Sequence, residues 1–111
     1  MMMTIEQLEE MVHALSHAVD HPELYINEDL PSVVAFLDGL KFACRILGIP
    51  EMYDRAFVDS ETEHGWNSLS THVVHQMIAR GMSPSEIKKE TLSIERDAWK
   101  KIASQTNSAN K

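Results

Sequence analysis

Hydrophobic residues recur every three or four positions along most of the chain, which is the period of one face of an α-helix. The first such segment covers residues 4–21, with Thr4 at the position of an N-cap and Pro22 directly after its end. A helix of this length is not stable alone in water, so its hydrophobic stripe must pack against another element. The stripe consists of Ile5, Leu8, Val12, Leu15 and Val19.

The second helical segment, about residues 29–47, is hydrophobic around most of its circumference. Pro31 falls in its first turn, where the missing N–H costs no hydrogen bond, and Gly48 is suited to end it. A helix of this kind belongs at the centre of a fold or across a subunit interface. Gly39 in its middle lowers helix propensity by about 1 kcal/mol relative to Ala and favours a close helix crossing. We therefore predict a central helix and expect a homodimer.

Two Ser-x-x-Glu capping boxes predict where two further helices begin. The first box, residues 60–63, opens a helix that ends at Gly81, which leaves residues 50–59 as a connector. The second box, residues 83–86, opens a helix that continues to about residue 103.

The pattern therefore predicts an all-α protein, a compact four-helix domain over residues 1–103 with the 29–47 helix at its centre. The length of 111 residues fits one domain, and no stretch shows the alternation typical of a β-strand. Residues 104–111 are polar and are predicted to form a flexible tail.

The charges are distributed unevenly, which allows two interpretations: an acidic first helix that packs near the basic last helix, or an acidic surface that binds a basic protein. The net charge is −7, and residues 1–40 hold eight acidic residues and no Lys or Arg. An acidic surface speeds encounter with a basic partner and repels the phosphate backbone of nucleic acids. No hydrophobic run is long enough for a membrane span, and the single cysteine excludes an internal disulfide. We expect a cytoplasmic protein.

Three of the six histidines stand four residues apart in the first helix, at positions 13, 17 and 21. A helical wheel places them opposite the hydrophobic stripe, so we interpret them as solvent-facing. Two alternatives stay open: a metal site formed by Glu10, His13 and His17, or a pH-sensitive surface. The predicted partner-binding face comprises Glu6, Glu10, His13, His17 and Asp20.

Few other residues carry a chemical signal. Cys44 lies on the hydrophobic side of the second helix, which is typical of a buried, unreactive thiol. Glu95 lies among hydrophobic positions of the last helix and needs a partner, so we predict a structural ion pair with Arg45, with Lys41 as the alternative. Residues 78–102 locally resemble a helix-turn-helix segment, but the second helix continues where a recognition helix would have to begin.

These observations predict a small, acidic, non-enzymatic protein that works without a cofactor by binding another protein. A regulator or inhibitor of a basic partner, such as an anti-activator or an immunity protein, fits the size and the charge. Two alternatives are kept: a metal-binding helical protein, and a DNA-binding accessory protein that uses residues 78–102.

Overall fold

In the computed structural model, residues 4–26, 29–67 and 72–109 are described, and every regular element in these ranges is helical. The all-α prediction is therefore confirmed, with five α-helices in the described ranges where four were predicted. In chain order these are α1 (Ile5–Asp20), a short 3-10 turn (Pro22–Leu24), α2 (Leu30–Ile46), α3 (Pro50–Glu63), α4 (Val73–Ala79) and α5 (Pro84–Ala109).

Helix α1 forms as its sequence predicts. The Thr4 side chain accepts a hydrogen bond from the Gln7 backbone N–H, and the Gln7 side chain accepts one from the Thr4 N–H. This reciprocal pair satisfies two of the donors that a helix N-terminus leaves free. Leu8, Leu15 and Val19 of the hydrophobic stripe are buried in the core.

Helix α2 has the predicted bounds but not the predicted position at the centre of the fold. Asp29 caps it by accepting a hydrogen bond from the Ser32 N–H, and Gly48 follows its end with a φ of 78°. One face, with Val33, Leu37 and Cys44, is buried in the core. The opposite face is exposed, so no other described residue covers the hydrophobic surplus of this helix.

The predicted start of the third helix is wrong. Helix α3 begins at Pro50, so residues 50–59 are helical and not a connector. Ser60 lies inside α3, where its buried hydroxyl donates to the Ile94 carbonyl oxygen at 2.7 Å, and it does not act as a cap. The helix ends at Glu63, a new helix begins at Val73, and residues 68–71 of the predicted helix lie outside the described residues.

Helix α5 is the central element of the fold. Ser83 and Glu86 cap its start by reciprocal hydrogen bonds of 2.9 and 3.2 Å, as predicted. It packs most extensively against α1 and α3 and also contacts α2 and α4. Residues 104–109, predicted as part of the tail, continue this helix. Its fully buried residues include Ile87, Leu92, Ile94, Ala98, Trp99 and Ile102.

Candidate functional site

The predicted partner-binding residues share the exposed side of α1. Each of them is exposed, because their spacing places them opposite the buried stripe of this helix. No ion pair within the described residues involves the three acids of the set, so their negative charge is directed at solvent. The structure therefore places Glu6, Glu10, His13, His17 and Asp20 on one acidic face, which we call the α1 acidic face.

The histidines of α1 are exposed and are not arranged as a metal site. His17 Nδ1 lies 2.6 Å from the Tyr25 hydroxyl, and the His17 and His21 ring centroids are 4.9 Å apart. These contacts tie the end of α1 to the turn that follows it. In the described part of the chain no group of three or more His, Cys, Asp or Glu side chains could hold a metal ion. The geometry gives the alternative site of Glu10, His13 and His17 no support.

One histidine outside α1 is partly buried and contacts the central helix. His64, directly after α3, is half-buried between two carboxylates of α5. Its Nδ1 lies 3.2 Å from Glu90 Oε1, and its Nε2 lies 2.7 Å from Asp97 Oδ2. The Trp66 indole N–H donates to the other oxygen of Glu90 at 3.1 Å. This cluster anchors the end of α3 on the central helix, which is a structural role.

Helix α2 presents hydrophobic residues to solvent on the side opposite the core. Phe42 is 63% exposed and Ile46 is 66% exposed, although both are large hydrophobic side chains. A Cβ atom added at Gly39 would meet nothing within 4 Å, so this part of the helix surface is open. Ala35, Gly39, Phe42 and Ile46 follow one another at spacings of four, three and four residues. They therefore form a straight row on the helix surface, of the kind that packs against another helix. We call Ala35, Gly39, Phe42 and Ile46 the α2 seam.

A cavity of about 300 Å³ opens between α2, α3 and α5 beside the start of α4. Glu95, which is 0% exposed, lies in its lining, and the Tyr53 hydroxyl donates a hydrogen bond to Glu95 Oε1. Oε2 of the same carboxyl group has no hydrogen-bond partner among the described residues. The lining consists of Leu37, Asp38, Lys41, Tyr53, Asp54, Phe57, Val58, Glu61, His72, Val73 and Glu95.

Burial controls the protonation of Glu95 in this cavity. Loss of water raises the pKa of Glu95 to about 7, and the charge of Glu61 adds to this effect. The Tyr53 hydroxyl opposes the rise, as does the nearby Trp99 indole N–H, although the indole does not reach hydrogen-bond geometry. Burial likewise raises the pKa of Glu61. Near neutral pH, Glu95 is therefore divided between its charged and its neutral form.

Cys44 is buried next to this site and is not activated. Burial raises the pKa of its thiol to about 12, and the charges of Glu95 and Asp54 add to the rise. A thiol reacts as the thiolate, so Cys44 is unreactive at neutral pH.

The predicted ion pair between Glu95 and Arg45 is wrong. Arg45 is exposed and lines a surface depression with Asp38, Lys41, Phe42 and Asp54, so the carboxyl group turns to Tyr53 instead. A neutral hydroxyl costs less free energy to bury than a guanidinium, because burying the guanidinium would remove a second charge from water.

Residues 78–102, which resemble a helix-turn-helix segment, form part of the core and bond to neighbouring elements. Lys88 is buried and its Nζ donates to the Ile26 carbonyl oxygen at 3.1 Å. Arg96 pairs with Asp97 at 3.0 Å, and Lys101 pairs with Glu63 at 2.5 Å. Two lysines of α5, Lys89 and Lys100, remain exposed, which is few contacts for the phosphate backbone of DNA, so this helix gives the DNA-binding alternative little support.

Within the described residues, no helix combines the length and the hydrophobicity that crossing a lipid bilayer requires. Comparison with protein-family models, with curated proteins and with solved structures found no significant match to this chain.

Proposed function

We propose that this chain is a non-enzymatic binding protein that pairs with a second copy of itself through the α2 seam and presents the α1 acidic face to a basic protein. The observation that carries the proposal is the α2 seam, a hydrophobic helix face that the described residues leave uncovered. Exposed hydrophobic surface of this kind marks sites of protein association. A regulator or inhibitor of a basic partner fits these two surfaces.

The α2 seam is complementary to itself in an antiparallel arrangement. If two α2 helices cross between Gly39 and Phe42, the ring of Phe42 meets the partner subunit's Gly39, where no Cβ stands in its way. Ile46 then meets the partner subunit's Ala35. Each large side chain therefore faces a small one, which is how two helix surfaces interdigitate without voids. A parallel pair would instead place Phe42 against Phe42 and Gly39 against Gly39.

The charges beside the seam favour the same arrangement. Asp38 and Arg45 are exposed and flank the seam on one side of α2. In the antiparallel pair Asp38 lies beside the partner subunit's Arg45, and the twofold axis repeats this contact. In a parallel pair Asp38 would lie beside the partner subunit's Ala43, which offers no charge. These self-complementary charges support a second copy of the chain as the occupant of the seam.

Light scattering coupled to size exclusion tests the pairing. We expect a dimer at tens of micromolar wild-type protein and a monomer for Phe42→Glu, because the glutamate would be buried at the centre of the seam. Ile78→Glu is the matched control, since Ile78 is also a large hydrophobic side chain, 47% exposed, but stands on α4. It should remain a dimer. A wild-type monomer at several hundred micromolar would contradict the proposal.

The α1 acidic face is tested by charge reversal. Glu6→Lys with Glu10→Lys should abolish co-purification of a basic protein from the native host, measured by quantitative mass spectrometry at low salt. The control reverses two exposed acids of α3, Glu51 and Asp59, and should retain the same protein. Equal loss in both variants would show that net charge, and not this face, governs binding.

A further inference from the structure

The turn that follows α1 carries a second group of exposed hydrophobic side chains. Leu24 is 67% exposed and Tyr25 is 47% exposed, whereas the next residue, Ile26, is buried and fixes the turn to the fold. Phe36 of α2 and Tyr25 together line a shallow depression of about 370 Å³. Hydrophobic surface of this kind marks sites of association. We call Leu24, Tyr25 and Phe36 the turn patch.

The turn patch continues the α1 acidic face. Nδ1 of His17, a residue of that face, lies 2.6 Å from the Tyr25 hydroxyl. The two rings meet edge to face with their centroids 5.6 Å apart, which holds Tyr25 beside the end of α1. Asp20, the last residue of the acidic face, is also the last residue of α1. The acidic row and the hydrophobic patch therefore form one continuous surface.

The charges around the turn patch favour a basic occupant. Asp20, Glu23 and Asp29 are all exposed, before the turn, within it and at the start of α2. Lys88 of α5 approaches the turn from the core side, where its buried Nζ donates to the Ile26 carbonyl oxygen at 3.1 Å. A second copy of this surface or an anionic membrane would bring like charges to these acids and would be repelled. A basic segment of another protein would be attracted.

The spacing of the α1 acidic face predicts the shape of that segment. Its residues, from Glu6 to Asp20, follow one another at spacings of four, three, four and three residues. They form a straight row along α1, and a second helix can lie along a row of this kind. The row is about 20 Å long, or about four turns of helix. A helix of similar length would cover the row and reach the turn patch with one end.

We propose that the turn patch and the α1 acidic face together bind a basic amphipathic helix of the partner protein. Its lysines or arginines face α1, and a hydrophobic side chain at its amino-terminal end is seated on the turn patch. This orientation brings the positive end of the helix dipole to Asp20 and Glu23. The proposal rests on the proposed function, because it requires a basic partner, and it does not require pairing through the α2 seam.

The hydrophobic contact gives this site a selectivity that charge alone does not supply. Ion pairs on a protein surface contribute little to affinity and are screened by salt. Removal of hydrophobic surface from water is not screened in this way. A basic helix with a hydrophobic end should therefore bind at least about tenfold more tightly than one without it at physiological salt.

Three synthetic peptides of one length, about five helical turns, test the site. The basic anchored peptide is alanine-based, carries lysines at alternating spacings of four and three residues, and has a leucine and a tryptophan at its amino-terminal end. The basic plain peptide has alanines in place of these two residues. The acidic anchored peptide has glutamates in place of the lysines. Fluorescence anisotropy with the full chain at about 0.15 M salt should show the tightest binding for the basic anchored peptide and none for the acidic one.

Variants then assign the effect to the turn patch. Leu24→Ser with Tyr25→Ser should reduce the affinity for the basic anchored peptide to that for the basic plain peptide. The matched control is Ile78→Ser, which removes a hydrophobic side chain that is 47% exposed on α4 and should change neither affinity. Glu6→Lys with Glu10→Lys should weaken both basic peptides about tenfold or more, because both use the acidic row. Circular dichroism checks that each variant keeps its helices.

A further variant separates this site from the pairing of two copies. Ala35 lines the depression and also belongs to the α2 seam, so the two surfaces are neighbours. Phe42→Glu, which should be monomeric, should bind the basic anchored peptide as tightly as wild type. A loss of at least about tenfold would show that the peptide uses the paired seam, and it would contradict the proposal.

Two other results would overturn the proposal and leave the proposed function standing. The first is equal affinity for the two basic peptides, and the second is undiminished binding by the Leu24→Ser, Tyr25→Ser variant. Either result would leave charge as the whole basis of recognition by the α1 acidic face. Absence of binding by any peptide would also overturn the proposal, while co-purification of a basic protein with wild type and its loss on charge reversal of α1 would judge the proposed function separately.

Discussion

At the scale of single residues, the sequence assigns Ser60 to the wrong role. The Ser-x-x-Glu pattern of residues 60–63 is typical of a helix start, yet the structure buries Ser60 in α3 with its hydroxyl on the Ile94 carbonyl oxygen. The same pattern at residues 83–86 does cap a helix. A capping box is a local pattern, so it cannot tell an exposed first turn from a buried helix interior.

Ser60→Asp and Ser83→Asp separate these two roles. Aspartate is as good an N-cap as serine, so Ser83→Asp should change the free energy of unfolding by less than about 0.5 kcal/mol. Ser60→Asp should lower it by more than about 2 kcal/mol, because it buries a charge beside a carbonyl oxygen. Urea unfolding followed by circular dichroism measures both. Equal tolerance of the two substitutions would contradict the buried position of Ser60.

Glu95 makes the stability of the protein depend on pH. In the unfolded chain its pKa is near 4.5, and in the folded chain it is about 7, so the folded state holds the extra proton between these values. The Glu95 contribution is therefore fully present below pH 4.5 and is lost as the pH rises to 7. Relative to wild type, Glu95→Gln should gain roughly 3 kcal/mol at most between pH 4.5 and pH 8, measured by urea unfolding at each pH. A constant difference would show that Glu95 is not desolvated in solution.

The burial of Glu95 was predictable from its hydrophobic neighbours in α5, but its partner was not. Tyr53 lies 42 residues away in the chain. It also stands in a segment whose buried face is formed by Tyr53, Ala56 and Ser60. Small and polar residues on that face interrupt the hydrophobic period, so the sequence predicts a connector where α3 stands. A tyrosine in a predicted connector is not expected in the core, so the sequence does not indicate Tyr53 as a partner of Glu95.

At the scale of helices, α2 shows that a strong hydrophobic signal does not by itself locate the core. Its bounds follow from Asp29 and Gly48, and the sequence predicts them well. Its hydrophobic residues, however, divide between a face that is buried in the core and the α2 seam that is not. A hydrophobic pattern in the sequence therefore does not tell a helix face that packs in the core from one that is left exposed.

The antiparallel arrangement of two α2 helices predicts a specific charge rescue. Asp38→Arg alone should weaken the dimer, because it places two arginines side by side at both ends of the interface. Asp38→Arg combined with Arg45→Asp should restore the dimer, with a coupling of about 0.2–1 kcal/mol for each exposed pair. Sedimentation equilibrium of the wild type, both single variants and the double variant measures it. Additive effects without rescue would exclude the antiparallel arrangement.

At the scale of the whole molecule, the fold is organised around its C-terminal helix and carries its free surfaces at the N-terminal half. Helix α5 is covered by α1 and α3, and its basic residues Lys88 and Lys101 bond to the rest of the chain. The α1 acidic face and the α2 seam are exposed, and no other described residue covers them. Helices α1 and α2 therefore stabilise the fold with one side and leave the acidic charges of α1 and the seam of α2 on the other.

This division predicts opposite responses to truncation of a large side chain in α5 and in α2. Leu92 of α5 is 0% exposed, so Leu92→Ala should lower the free energy of unfolding by about 2–5 kcal/mol at any protein concentration. Phe42→Ala should change it by less than about 0.5 kcal/mol at nanomolar protein, where the chain is a monomer. At tens of micromolar protein, Phe42→Ala should lower the apparent stability, because only the dimer covers the ring and association stabilises the folded state. Fluorescence-detected unfolding at the two concentrations separates the cases. A large loss of stability for Phe42→Ala at nanomolar protein would show that the monomer buries Phe42, and it would contradict an exposed α2 seam.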